Sequence, residues 1–227
     1  MKILSMDTSA QTLAVALLED EKLVGQVTLT IKKNHSITLL PTIDFLLASV
    51  GWQPDDLERI VVAEGPGSYT GLRIAVATAK TLAQTLKIDL VGVSSLFALV
   101  PEKSTGLVIP LIDARRNNVY AGFYEQGRAV QPEAHLPFEQ VLDFAAGFEE
   151  VTFVGEVEAF SEQIEERLPQ ARIEPSLPNA YLIGKAGLSL PAQSVHDFVP
   201  NYLKRVEAEE NWLKNHTESK GSYIKRL

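Results

Sequence analysis

The chain has 227 residues, 45% of them apolar and 22% charged, and no cysteine; that leaves room for one large or two small cores and excludes disorder, disulfides and thiolate chemistry. A formal net charge of −8, from 29 acidic and 21 basic residues, excludes a surface that attracts phosphate backbones at large, so RNA contact is expected only through a partner. Asp7 interrupts the first apolar run and no later run reaches membrane-spanning length, so a cytoplasmic protein without membrane contact is expected.

In chain order, Ile3 to Met6 reads as a buried strand ending in Asp7, Leu13 to Leu18 as a second strand and Leu23 to Leu29 as a third. Ser36 to Val50 reads as a helix with Ile37, Leu39, Leu40, Ile43, Phe45, Leu46, Leu47 and Val50 on nearly every side and Asp44 as its lone charge. The strand Ile60 to Ala63 runs into Glu64-Gly65-Pro66-Gly67-Ser68-Tyr69-Thr70-Gly71-Leu72-Arg73, which opens an alanine-rich helix from about Thr70 to Leu86. Only Arg73 and Lys80 are charged on that helix. A helix apolar all round must be covered on both sides, and two of them in one lobe predict a patch that another polypeptide covers.

The order then restarts. Val108 to Ile112 ends in Asp113, Val119 to Tyr124 follows, Ala129-Val130 opens a third segment, and Val151 to Gly155 repeats the glycine-ended strand before another helix. A shift of 106 residues lays Leu13 on Val119, Leu17 on Phe123, Glu19 on Glu125 and Lys22 on Arg128 without a gap. Two tandem α/β lobes are therefore predicted, residues 1–102 and 103–227, joined near Pro101 to Gly106, with the last helix packing back on the first lobe. Each copy, with its Asp-ended first strand, resembles the ribonuclease H-like lobe of the actin, hexokinase and Hsp70-like ATPase superfamily. Ligands of open α/β sheets sit beyond the carboxyl ends of strands, which puts Asp7 and Asp113 near a cleft.

Asp7-Thr8-Ser9 stands where that superfamily has a phosphate-contacting loop, but Thr8, Ser9 and Ala10 supply no glycine for close approach of phosphate. The segment is either a vestigial cofactor loop or an Asx turn in which Asp7 caps neighbouring amides. Arg115 and Arg116 beside Asp113 favour ion pairing over acid catalysis. The Gly65 to Gly71 loop suits either an anion cradle or a plain helix cap, and it lacks the Gly-Lys-Ser/Thr ending of a Walker loop. Histidines at 35, 135, 196 and 216 show no metal-ligand spacing, so neither a metal nor a catalytic residue is expected. Lys204-Arg205 and Lys220 to Arg226 form a modest basic cluster that reads as a solvated tail.

Ile3-Leu4-Ser5-Met6-Asp7-Thr8-Ser9, His35-Ser36 with Leu39-Leu40-Pro41, the run Gly65 to Ile74, and Pro200-Asn201-Tyr202-Leu203 closely resemble the TsaB (YeaZ) family. The resemblance implies a non-catalytic paralogue of TsaD that docks on TsaD, with the ATPase TsaE joining, in the complex that transfers a threonylcarbamoyl group to adenosine 37 of tRNAs reading ANN codons. It implies a homodimer when the chain is alone, tRNA contact through the complex, and ATP or ADP only at an interface shared with partners. Ser95 and Leu99 stand where TsaD carries a metal-binding His-x-x-x-His, and neither replaces imidazole. The same resemblance puts the association surface on the two apolar helices, with His35, Leu39, Leu40, Ile43, Leu47, Ser68, Tyr69, Thr70, Leu72, Ala75, Ala79 and Leu82 at the contact. Two other readings are a nucleotide-binding phosphotransferase-like enzyme, which needs a glycine-bearing phosphate loop, and a metal-dependent glycoprotease-like enzyme, which needs a metal site.

Overall fold

A computed structural model describes residues 1–30 and 35–204; Arg205 and the basic run Lys220 to Arg226 lie outside the described residues. The first lobe is built from β1 (Lys2–Asp7), β2 (Thr12–Glu19), β3 (Lys22–Thr30), α1 (His35–Val50), β4 (Arg59–Gly65), α2 (Tyr69–Leu86) and β5 (Asp89–Ser94). The second follows with β6 (Leu107–Asp113), β7 (Asn118–Glu125), β8 (Arg128–Pro137), α3 (Phe138–Ala145), β9 (Val151–Gly155), α4 (Ser161–Arg167) and β10 (Arg172–Pro175), and α5 (Ala180–Gly187) comes last.

The two sheets have one topology. Their strand orders are β3-β2-β1-β4-β5 and β10-β9-β6-β7-β8, the second being the first written from its other edge. In each, the first strand pairs antiparallel with the second and parallel with the fourth. The repeat holds to the residue: β2 and β7 begin and end 106 positions apart, as do the ends of β1 and β6 and the starts of β3 and β8. It fails at the helices, where α1 has 16 residues and α3 only 8.

Period-2 alternation decides what each face of the first sheet meets. Leu4, Met6, Leu13, Val15, Leu17, Ile60 and Val62 turn to one core with the inner sides of α1 and α2. Ile3, Ala14, Ala16, Leu18, Val61 and Ala63 turn to the other, where Ala180 and Ile183 of α5 lie. Helix α5 thus crosses back onto the first lobe, anchored by the Ser5 hydroxyl donating to the Ala180 carbonyl at 2.7 Å. The following segment continues along the edge strand β5. Gln193 N donates to Leu90 O at 2.8 Å, Gly92 N donates to Gln193 Oε1 at 3.0 Å, and buried Phe198 enters the core beneath α2. In the second lobe α3 and α4 cover one face of the sheet. The opposite face presents Val108, Ile112, Tyr124 and Val154 to Leu96, Leu99 and Val100, forming an apolar seam between the lobes.

Candidate functional site

A cleft of about 730 Å³ opens between the lobes, lined among others by Ser9, Gln11, His35, Ser68, Tyr69, Asp113, Arg115 and Lys204. The two strand-ending aspartates occupy it unequally. Asp113 lines it, whereas Asp7 is wholly buried and does not. Both strand ends thus lie near the cleft, as expected, but only the Asp113 carboxylate faces it. Each makes the same Asx turn: Asp7 Oδ1 accepts from Ser9 N at 2.6 Å and Asp113 Oδ1 from Arg115 N at 2.7 Å. Of the two readings of Asp7-Thr8-Ser9, the turn is the one the geometry realises. Asp7 Oδ2 has no partner among the described residues, and burial pushes the carboxyl up to about 6 against the opposing pull of the Ser9 bonds and the charge of His35. The ion pair expected of Arg115 does not form among the described residues; Asp113 takes its backbone amide instead.

The glycine-rich loop does not hold an open anion cradle, because the Thr8-Ser9 segment fills its concavity. Ser68 N donates to Ser9 O at 2.7 Å, and the Thr8 hydroxyl donates to Gly71 O at 2.8 Å. A Cβ at Gly67 would sit 2.5 Å from the Ser9 carbonyl oxygen, and one at Gly71 would collide with that of Thr8. These glycines serve approach of two backbones to each other, not of backbone to phosphate. Ser68 caps α2 by accepting from Gly71 N at 3.3 Å. The Pro200 to Leu203 segment comes to the same place: Asn201 N donates to Glu64 O at 2.7 Å, and Tyr202 stacks on Tyr69 with centroids 5.2 Å apart. Arg73 then lies over the Tyr69 ring and donates to its hydroxyl at 3.0 Å.

Ser95 is fully buried and Leu99 belongs to the seam. Among the described residues no group of three His, Asp or Glu could hold a metal ion.

The second candidate surface is the outer side of α1 and α2, which pack beside each other. The interface expectation names twelve residues, and they divide sharply. Leu39, Ile43, Leu47, Leu72, Ala75 and Ala79 are buried in the core of the chain itself and have no surface to offer a partner as the chain stands. Leu40, Ser68, Tyr69 and Thr70 are exposed, and Leu82 is half-buried against the core. His35 belongs to the cleft, where its Nε2 donates to Ala10 O at 3.1 Å. What α1 turns outward is a different apolar stripe: Ile37 is 66% exposed, Leu40 52% and Phe45 62%, with Pro41 and Ala48 between and beyond. At helical spacing these positions share one face. Asp44, the helix's lone charge, lies on that face, and this was the available signal for which side points out. On α2 the exposed positions are Tyr69, Thr70 and Arg73 in the first turns and then Ala77, Thr81, Gln84 and Thr85, where small side chains prevail.

Residues 22–212 match the family model described as TsaD, tRNA N6-adenosine threonylcarbamoyltransferase. The chain is 36% identical over 236 residues to the tRNA threonylcarbamoyladenosine biosynthesis protein TsaB of Bacillus subtilis (strain 168), covering 95% of this chain and 99% of that one. It is 30% identical to TsaB of Escherichia coli (strain K12) over 130 residues, 56% of each chain. Among solved structures, YeaZ from Pseudomonas aeruginosa superposes with a TM-score of 0.73 at 31% identity, covering 89% of this chain and 99% of that one. The ADPNP-bound activator of the 2-hydroxyisocaproyl-CoA dehydratase from Clostridium difficile superposes with a TM-score of 0.50 at 12% identity, covering 96% of this chain and 100% of that one, a likeness of fold alone. The architecture is thus two tandem α/β lobes of one sheet topology, the fold of YeaZ and, as a likeness of fold alone, of the ADPNP-bound activator.

Proposed function

The chain belongs to the TsaB (YeaZ) family of tRNA threonylcarbamoyladenosine biosynthesis proteins, and from that premise we propose that it is the non-catalytic subunit that docks on TsaD and supports threonylcarbamoylation of adenosine 37 in ANN-decoding tRNAs. The observation that carries the reading is the outer stripe of α1. Three large apolar side chains, Ile37, Leu40 and Phe45, are each more than half exposed on one helix face, and a contiguous patch of this kind marks a surface that another chain covers. The small outward residues of α2 beside it allow a second helix pair to approach closely. In the absence of TsaD the same face pairs two copies of this chain.

Three features support the non-catalytic part of the proposal. Thr8 and Ser9 take up the space a phosphate loop would need, which disfavours a phosphotransferase. Ser95 and Leu99 sit in the packed floor and seam, and neither is a metal ligand, which disfavours a glycoprotease. The acidic net charge leaves tRNA to be engaged through the complex, with TsaE joining it and ATP or ADP held only where subunits meet.

The test is copurification of tagged TsaD with Leu40→Asp/Phe45→Asp. Both side chains are exposed, so the variant's stability should stay within about 0.5 kcal/mol per site of the parent. TsaD recovery should fall to background, while recovery equal to the parent would contradict the assignment.

A further inference from the structure

The apolar seam between the lobes is joined by a polar cluster drawn from both sheets: Glu64 of β4, Ser94 of β5, Tyr124 of β7 and Glu133 of β8. Glu133 spans it. Its Oε1 accepts from the Tyr124 hydroxyl at 2.5 Å within its own sheet and from the Ser94 hydroxyl of the other. Ser94 is committed to this bond, because its oxygen already accepts from Leu96 N at 3.0 Å and Phe97 N at 3.3 Å, which leaves its proton for Glu133. Tyr124 is buried, and burial together with the charge of Glu133 pushes its phenol up, so it remains a donor.

Two glycines keep room for the cluster. A Cβ at Gly122 would lie 2.6 Å from the Tyr124 ring, and one at Gly92 would meet the Glu64 carboxylate and lie 2.8 Å from the Phe198 ring. Neither glycine has a positive φ, so space rather than backbone conformation is what their missing side chains supply. Glu64 is fixed from the other side, its carbonyl accepting from Asn201 N at 2.7 Å. Its carboxylate has no hydrogen bond or ion pair among the described residues, and burial and the facing charge of Glu133 hold it above the usual carboxylate range. Charged groups on the elements packed around the pair are engaged elsewhere. Arg59 and Asp89 pair at 2.7 Å at the far ends of β4 and β5, Lys80 of α2 donates to the carbonyls of His196 and Phe198, and Asp197 accepts from the Ser194 hydroxyl. Glu125 and Arg128 stay exposed at the turn between β7 and β8. On β8, His135 shares the face of Glu133 and stacks on Tyr120 with centroids 5.3 Å apart.

We propose that Glu133 is a latch that sets the angle between the lobes, and that ionisation of Glu64 loosens it. With Glu64 protonated, the seam closes on a single carboxylate that holds a donor from each sheet. With Glu64 ionised, two like charges face each other across the seam in partly desolvated surroundings, and opening the lobes relieves them. The sign follows from the raised carboxyl: the closed arrangement is supported at low pH and loses that support as pH rises through the raised value. What the latch changes is the width of the cleft, a property separate from the α1 stripe.

The chain has no cysteine, so Thr85→Cys on α2 and Glu166→Cys on α4, both exposed positions, place one spin label on each lobe of the full chain. Electron–electron double resonance, on labelled protein diluted in excess unlabelled chain so that distances within one molecule are read, reports the interlobe distance at pH 5 and pH 8. The parent should show a second, displaced distance population that is minor at pH 5 and grows at pH 8. Glu64→Gln should lose that population at pH 8. Glu133→Ala, and Tyr124→Phe, which keeps the ring in place, should each enlarge it at pH 5. His135→Gln should respond to pH as the parent does. One unmoving distance in the parent at both pH values overturns the inference, as does a pH response that survives Glu64→Gln or disappears in His135→Gln, or either latch variant matching the parent at pH 5.

Discussion

Asp7 sits at the end of β1 with one carboxylate oxygen on the Ser9 amide and the other unpartnered, wholly out of water. Because burial raises its pKa to about 6, the neutral form is favoured in the fold. The group therefore stabilises the protein below the ordinary carboxylate range, and that contribution is lost as pH rises through about 6. Asp7→Asn keeps an acceptor for the Ser9 amide and removes the charge. It should be more stable than the parent at pH 8, and the gain should shrink toward pH 4 by roughly 3 kcal/mol. Denaturant melts at the two pH values check this; a constant difference between variant and parent would contradict it. The Asx turn was legible in Asp7-Thr8-Ser9, since a short acid followed by hydroxyl residues seldom does anything else after a strand. The use of Gly67 and Gly71 was not legible. Nothing local in a glycine says whether ligand or neighbouring backbone comes close, and here the neighbour is a loop some sixty residues earlier.

At the scale of elements, α1 and α2 explain both what sequence reading captures and what it misses. Their apolar residues outnumber what one buried face can hold, and that excess was countable. Which residues form the surplus was not, because Leu39, Ile43 and Leu47 are chemically indistinguishable from Ile37, Leu40 and Phe45 until the sheet beneath them is known. Packing settles it: the first set lies on β1, β2 and β4, and the second stays more than half exposed among the described residues. The consequence for mutagenesis is specific. Ala79 is fully buried, so Ala79→Arg forces an unpaired cation into the core and should cost on the order of 3–5 kcal/mol. Ala77→Arg, one turn-fraction away on the exposed side, should leave the melting curve in place while weakening TsaD recovery. Equal melting curves for the two variants would show that the helix faces are assigned wrongly. Strands β5 and β10 escaped the sequence reading for a similar reason: both are short sheet edges, and β10 has a single apolar residue that is half-buried.

Across the whole molecule, the lobes are duplicated in topology but not independent in chain. The three-strand start of each copy was visible through the 106-residue shift, whereas α5 and the segment ending in Phe198 return to the first lobe, a long-range closure with no local signature. A fragment of residues 1–102 lacks Ala180, Ile183 and Phe198 and exposes one face of its sheet. It should give no dispersed amide NMR spectrum, unlike the whole chain, and a folded spectrum would contradict the assignment of that segment to the first core. The acidic surface, the filled phosphate loop and the exposed α1 stripe are the features on which the proposed docking role rests. The most direct test is reconstituted threonylcarbamoylation of an ANN-decoding tRNA with TsaD, TsaE and this chain, omitting or replacing one component at a time. The account predicts no product from this chain without TsaD, full product from the complete set, and loss of product when Leu40→Asp/Phe45→Asp replaces the parent; modification by this chain in the absence of TsaD, or undiminished product with the double variant, would contradict it.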